Sequence, residues 1–279
     1  MGTSWRIVIL SNIPEVVDMT SSTLRRLGHE PVAAVAAKRR AATPGLTSFE
    51  GDGNVSETEV LIVPDRDSLE PLLQSLRPDL LVSWAFPWRV SPGALEVPSY
   101  GAINYHPSLL PRHRGANPVA WTIRSGDSEF GVTWHRMASD FDSGPILAQR
   151  STPVLVEDTI FDVVPRLSTL GLRMLRGVLD RLEQGDPGDP QPDEGASEAG
   201  PFGDDYATID WSMPARAVHD QVRAWAFTPG THSVVGPITH LDGVRVRVVR
   251  TTLQRPDGVA LEIQCGDGPL WILETEPLG

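Results

Sequence analysis

Lysine occurs once in the 279 residues, at Lys38, and cysteine once, at Cys265. A lone cysteine excludes an intrachain disulfide and leaves no thiolate set for zinc, so no metal is expected. Lys and Arg together number 24 against 36 Asp and Glu, a net charge of -12. Residues 201–279 hold 6 Arg and 10 Asp or Glu, so -4 falls there and -8 on the rest. Neither part is basic. That weighs against a nucleic-acid partner, because neutralisation of phosphates by Lys and Arg supplies much of that affinity. No apolar run approaches the roughly 18–20 residues of a membrane span, so no membrane partner is expected. The opening MGTSWRIVILSN enters an apolar run with no targeting pattern ahead of it, which reads as cytoplasmic. No Gly-x-Gly-x-x-Gly follows that run, which argues against a dinucleotide cofactor.

What the chain does contain is an alternation of apolar runs and amphipathic segments. Strands are expected at residues 5–12, 32–36, 60–63, 79–83, 101–104, 130–137 and 146–154. Between them, helices are expected at 16–27, at 67–76, at 118–124 with Asn117 as its cap, and at 159–183 with a break or kink near Pro165. Such alternation predicts an α/β fold, an open and mostly parallel sheet with helices on both faces. Residues 185–205 are dense in Pro, Gly and acidic side chains and read as a linker or surface strap. They separate a region 1–184 from a region 206–279, where Ser212 is expected to cap a helix to Trp225 and short strands follow at 244–253, 259–265 and 270–274.

The stretch from Gly101 to Gln149 is the densest in chemistry. On a strand, Asn104 and His106 point the same way, and Pro107 keeps His106 extended at the strand end where α/β sheets build their sites. A tight loop, Phe141-Asp142-Ser143-Gly144, adds a carboxylate. An amide, an imidazole and a carboxylate together offer an oxyanion donor, a proton shuttle and an anion to orient that shuttle and keep it charged. A lone Asn-x-His is most often a strand end with two satisfied polar groups. His135, on the strand before the loop, reads as structural, a direct role being the alternative. Trp84, Phe86, Pro87, Trp88 and Val90 follow a buried strand as core or as a flat apolar slot. The Lys38-Arg39-Arg40 cluster reads as a solvated loop, or as a contact for an anionic substrate.

The longer string is more specific. Asn-x-His-Pro-Ser-Leu-Leu-Pro from Asn104, then Arg-Gly, Gly-Val-Thr-x-His and Asp-Ser-Gly-x-Ile-Leu, resembles the folate-dependent formyltransferase family. The resemblance implies a Rossmann-like catalytic sheet, and a small C-terminal β-barrel of the oligonucleotide-binding type. It implies catalytic roles for Asn104, His106 and Asp142, with N10-formyltetrahydrofolate as co-substrate. Trp84, Phe86, Pro87, Trp88, Val90, Ser139, Asp140 and Phe141 then fall against the folate. Ser108, Leu109, Arg112 and Arg114 fall near the acceptor. On charge, the acceptor expected is a small-molecule amine, an N-hydroxyornithine-like amino acid or an amino sugar. The alternatives are methionyl-tRNA and, through water, formyltetrahydrofolate hydrolysis.

Overall fold

The computed structural model describes residues 3–38, 53–55, 57–227 and 235–278. Arg39, Arg40 and most of the loop after them lie outside the described residues. The chain forms two compact units. The first takes Met1–Arg114, Gly131–Ser151 and Leu167–Ser197, and the second Gly115–Phe130, Thr152–Arg166 and Glu198–Gly279.

The first unit is built on β1 (Arg6–Leu10), β2 (Glu30–Ala37), β3 (Gly53–Val55), β4 (Thr58–Val63), β5 (Leu80–Trp84), β6 (Ala102–His106), β7 (Glu129–Arg136) and β8 (Ile146–Pro153). They form one sheet in the order β3-β4-β2-β1-β5-β6-β7-β8. From β4 through β6 the pairs are parallel, while β3 runs antiparallel to β4 and β7 to β6. Ile7, Val8, Ile9 and Leu10 are all fully buried, the unbroken apolar run of a strand covered on both faces. The strand expected at 60–63 is thus one arm of a hairpin, whose three-residue partner is too short to show an alternation.

Helix α1 (Pro14–Arg26) starts with proline at its first position and buries Val16, Val17, Thr20 and Leu24, a helical stripe. Gly28, at φ 91, then takes the left-handed conformation that ends a helix cheaply. Helices α2 (Leu69–Leu76) and α3 (Pro92–Glu96) precede and follow β5. Val8, Leu10, Val35, Leu73, Leu81 and Ala94 meet in one apolar cluster. The chain order places β2 and β4 on one side of β1, and β5 and β6 on the other. In such sheets ligands sit beyond the carboxyl ends of the strands, near that reversal.

Helix α4 (Pro118–Arg124) opens the second unit, and α5 (Ile160–Glu183) runs through Pro165 without a break. The proline removes only the bond that its own N–H would give to Phe161, whose side chain is 85% exposed. The Asn117 side chain does not cap α4, because its amide donates to the Gly200 carbonyl at 3.2 Å. Helix α6 (Ala215–Ala226) follows, and Ser212 does not cap it: that hydroxyl donates to Asp210 at 2.7 Å. Asp267, distant in sequence, accepts the Ala215 N–H at 2.7 Å instead.

Strands β9 (Ile238–Leu241), β10 (Val244–Thr252), β11 (Leu261–Gln264) and β12 (Pro269–Pro277) make an antiparallel sheet, order β11-β12-β10-β9, curled into half a barrel. Val218, Val222, Val248, Leu270 and Ile272 form its core.

Composition reads 185–205 as a spacer with little to bury, yet Ala199 and Phe202 are 0% and 2% exposed. Asp189, in the first unit, exchanges two 2.8 Å backbone hydrogen bonds with Ile146 of β8.

Candidate active site

Strand β6 presents Asn104 and His106 on one face. Across the antiparallel pairing, Asn104 stands opposite His135 and His106 opposite Thr133. Asn104 Nδ2 lies 3.2 Å from His135 Nε2 and 3.3 Å from Asp142 Oδ1. The same carboxylate oxygen is 3.5 Å from His106 Nδ1 and 3.5 Å from His135 Nε2. The structure therefore brings Asn104, His106 and Asp142 together, and adds a second imidazole that the sequence reading kept in the core. A signal for it existed: His135 sits on the strand that leads straight into the Asp142 loop. Which residue of β6 it faces is set by a strand register that one sequence does not display.

The carbonyls around the two rings fix their protons. His106 Nε2 is 2.8 Å from the His113 oxygen, and His135 Nδ1 is 2.8 Å from the Arg136 oxygen. A carbonyl only accepts, so each of these nitrogens donates. In the neutral rings, His106 Nδ1 then points its lone pair toward Asp142, and His135 Nε2 accepts from Asn104. Burial pulls His106 below the ordinary imidazole range, and the opposing pull of Asp142 and the His113 carbonyl does not outweigh it. The sequence reading had Asp142 keep His106 charged. The nearly complete burial of the ring reverses that, and at neutral pH it rests uncharged.

Backbone geometry holds the carboxylate in place. Asp142 has φ 53, a left-handed conformation rare outside glycine. At Gly144 a Cβ would overlap the Arg136 carbonyl, so no side chain fits there. On the other side, Thr133 Oγ1 donates to the Ser108 carbonyl at 2.7 Å and accepts from Gln149 at 2.8 Å, pinning the turn after His106 to β7.

The remaining expected residues divide. Val90 and Ser139 line an open cavity of about 620 Å³ with Arg66, Asp67, Glu70 and Arg89, a size usual for small-molecule sites. Arg89 ties the two loops together: it lies 3.5 Å from Asp140 and its guanidinium sits 5.2 Å from the centre of the Phe141 ring. Phe86 and Trp88 meet edge to face at 5.8 Å beside the α2 cluster, and Pro87 next to them is exposed. Trp84 stands apart, stacked on Tyr105 at 3.7 Å and 6% exposed.

The acceptor set fares less well. Ser108 is fully buried and donates to the Arg112 carbonyl at 2.7 Å, so its hydroxyl serves the turn and not a ligand. Leu109 lies against Gly131 of β7, and Arg112 is exposed. Arg114 gives two hydrogen bonds, at 3.1 and 2.7 Å, to the Gln191 side chain. Among the described residues, no group of three His, Cys, Asp or Glu is placed to hold a metal ion, and no helix is long and apolar enough to cross a membrane.

Comparison with known proteins matches two family models, formyl transferase over residues 21–179 and formyl transferase C-terminal domain over 204–279. A methionyl-tRNA formyltransferase of Pelobacter propionicus is 35% identical over 234 residues, 78% of this chain and 71% of that protein. Another, of Citrifermentans bemidjiense, is 32% identical over 98% of this chain and 89% of its own length. Among solved structures, HypX from Aquifex aeolicus in complex with tetrahydrofolic acid superposes with a TM-score of 0.68 at 18% identity, over 98% of this chain. The chain spans 44% of the HypX chain, so that likeness speaks for the fold alone. Both the extent of the family match and the near full-length relative place this chain in the folate-dependent formyltransferase family, which draws its formyl group from N10-formyltetrahydrofolate.

Proposed function

We propose that the chain formylates the amino group of methionyl-tRNA, with Asn104, His106 and Asp142 as its catalytic residues. The observation that carries the chemistry is the convergence of Asn104 Nδ2 and His106 Nδ1 on one oxygen of Asp142, at 3.3 and 3.5 Å, at the end of β6. The acceptor rests on the relatives, above all the 32% identity maintained over 98% of the chain. A small-molecule amine is the second reading, favoured by the net charge of -12 and by an excess of acidic over basic residues in the C-terminal region.

The loops around Val90 and Ser139, joined through Arg89, have the room and the flat side chains to take a pterin. Bound N10-formyltetrahydrofolate supplies the activated formyl carbon. Asn104 Nδ2 is the donor for the formyl oxygen as it gathers charge. Its present bonds, at 3.2 and 3.3 Å, are long enough for a substrate oxygen to displace one of them. His106 Nδ1, bare in the resting ring, takes the proton of the attacking amine and returns one to the departing nitrogen. Asp142 stabilises the imidazolium that exists between these steps. His135 holds the Asn104 amide in the orientation this requires.

The test is a tetrahydrofolate-release assay with charged initiator tRNA, a panel of small amines, and water alone. Turnover at sub-micromolar methionyl-tRNA is expected. Turnover of a small amine with none on tRNA moves the acceptor to the second reading, and release without any acceptor marks a hydrolase.

A further inference from the structure

The acidic, proline-rich segment that composition reads as a spacer touches the site at two points. Gln191 Nε2 donates to the Asp142 carbonyl at 2.7 Å and to the Gly144 carbonyl at 2.8 Å. Its Oε1 accepts from Arg114, at 3.1 Å from Nε and 2.7 Å from Nη2. One amide side chain thus uses both ends. It fastens the backbone on either side of Ser143 and is itself held by a guanidinium. Ser197 Oγ accepts the His113 N–H at 2.9 Å, and the His113 carbonyl is the group that orients His106. The strap therefore reaches the imidazole through His113 and the carboxylate through the 142–144 backbone.

We propose that Gln191 is a positioning residue for the reaction: it holds the left-handed backbone of Asp142 so that the carboxylate stays 3.5 Å from His106 Nδ1. The geometry makes the demand specific. A left-handed aspartate lies in a shallow conformational well, and its backbone relaxes toward extended values unless neighbouring bonds prevent it. Two N–H donors on the carbonyls that flank Ser143 supply that restraint, and only an amide presents two donors from one atom while its oxygen accepts from an arginine. A glutamate there keeps the pairing with Arg114 but turns acceptors toward two carbonyls, which pushes the loop away. This inference rests on the proposed role of Asp142.

The experiment compares Gln191→Glu, Gln191→Ala and Asp142→Asn, and combines Gln191→Ala with Asp142→Asn. The readouts are kcat, the KM for N10-formyltetrahydrofolate, and the pH profile of kcat, using an acceptor that the wild type turns over. Gln191→Glu and Gln191→Ala are expected to lower kcat by ten- to a hundred-fold and to change KM less than threefold. The anionic neighbour that raises the His106 pKa has moved away in both, so the His106 limb of the profile shifts to lower pH. In the Asp142→Asn background the Gln191 change is expected to cost no more than twofold, since the two act through one group. Retained turnover in Asp142→Asn sinks the site reading itself. A dead Asp142→Asn beside Gln191 variants with unchanged rate and pH limb sinks only this inference, as does a full additional loss in the double variant. Should Gln191→Ala not fold, the near-isosteric Gln191→Glu carries the same comparison.

Discussion

Asn104 and His135 face each other across β6 and β7, amide nitrogen to ring nitrogen at 3.2 Å. The ring's other nitrogen donates to the Arg136 carbonyl, so in the neutral ring the nitrogen facing Asn104 is the acceptor. The amide nitrogen is thereby held between His135 and Asp142.

His135→Phe keeps an aromatic ring in the core and removes that acceptor. The expected outcome is a loss of about tenfold in kcat/KM, or about 1.4 kcal/mol, with the melting temperature little changed. Steady-state kinetics beside a thermal melt make the comparison. A loss below twofold returns His135 to packing alone.

His106→Ala is expected to reduce formyl transfer by about 10²–10⁴-fold, the range of a general acid–base, with binding of a folate analogue retained. Asn104→Ala is expected to raise the barrier by about 2.7–4 kcal/mol, the usual cost of one oxyanion donor. Single-turnover rates check both. Near-wild-type turnover in His106→Ala, or a cost well under 1 kcal/mol at Asn104, would contradict the assignments.

How much of this could be read from one sequence depended on range. The run Trp5–Asn12, the Asn104 and His106 parity and the Asp142 loop are local patterns, and local patterns survive without a partner. Ser212 and Asn117 have the chemistry of caps, but longer-range geometry gave the α6 cap to Asp267 and aimed the Asn117 amide at Gly200. Ser108 shows the same limit, because its turn consumes the hydroxyl. The charge of His106 was misjudged for a related reason: an anion nearby is visible in a motif, whereas burial is not.

Gly144→Ala places a methyl group against the Arg136 carbonyl. Overpacking of this kind costs about 1–3 kcal/mol, and the loop must move to relieve it. The variant is expected to lose stability by that amount in a denaturant titration, and to lose turnover more severely than a stability change alone would cause. Unaltered activity would mean that the Asp142 loop tolerates displacement.

Acid should destabilise the protein. Burial lowers the pKa of His106 and of His219, whose ring contacts the Val156 carbonyl and Thr251. Unfolded, both bind a proton below the ordinary value of 6.5; folded, they resist it until the pH is lower still. Stability is therefore complete above that value and is lost as pH falls from it through the folded pKa values, by at most about 1.4 kcal/mol per pH unit for each proton. Urea titrations at pH 7.5 and 5.5 should show lower stability at the acidic value, and a smaller difference in His219→Gln. Equal stability at the two pH values would refute the argument.

The carboxylate partner of Asn104 comes from 38 positions further along the chain, and the amide that braces its loop lies later still, at Gln191. Strand β6 pairs backward with β5 and forward with β7, so half of its surroundings do not exist when it emerges from a ribosome. At about 5–20 residues per second, the stretch between Asn104 and Gln191 takes roughly 4–17 s to synthesise. Until β7 follows, a nascent chain carries Asn104 and His106 at a bare sheet edge, open to any strand that offers its own hydrogen bonds. The bracing of the Asp142 loop is therefore complete only once Gln191 has been made, near the end of translation of the first unit.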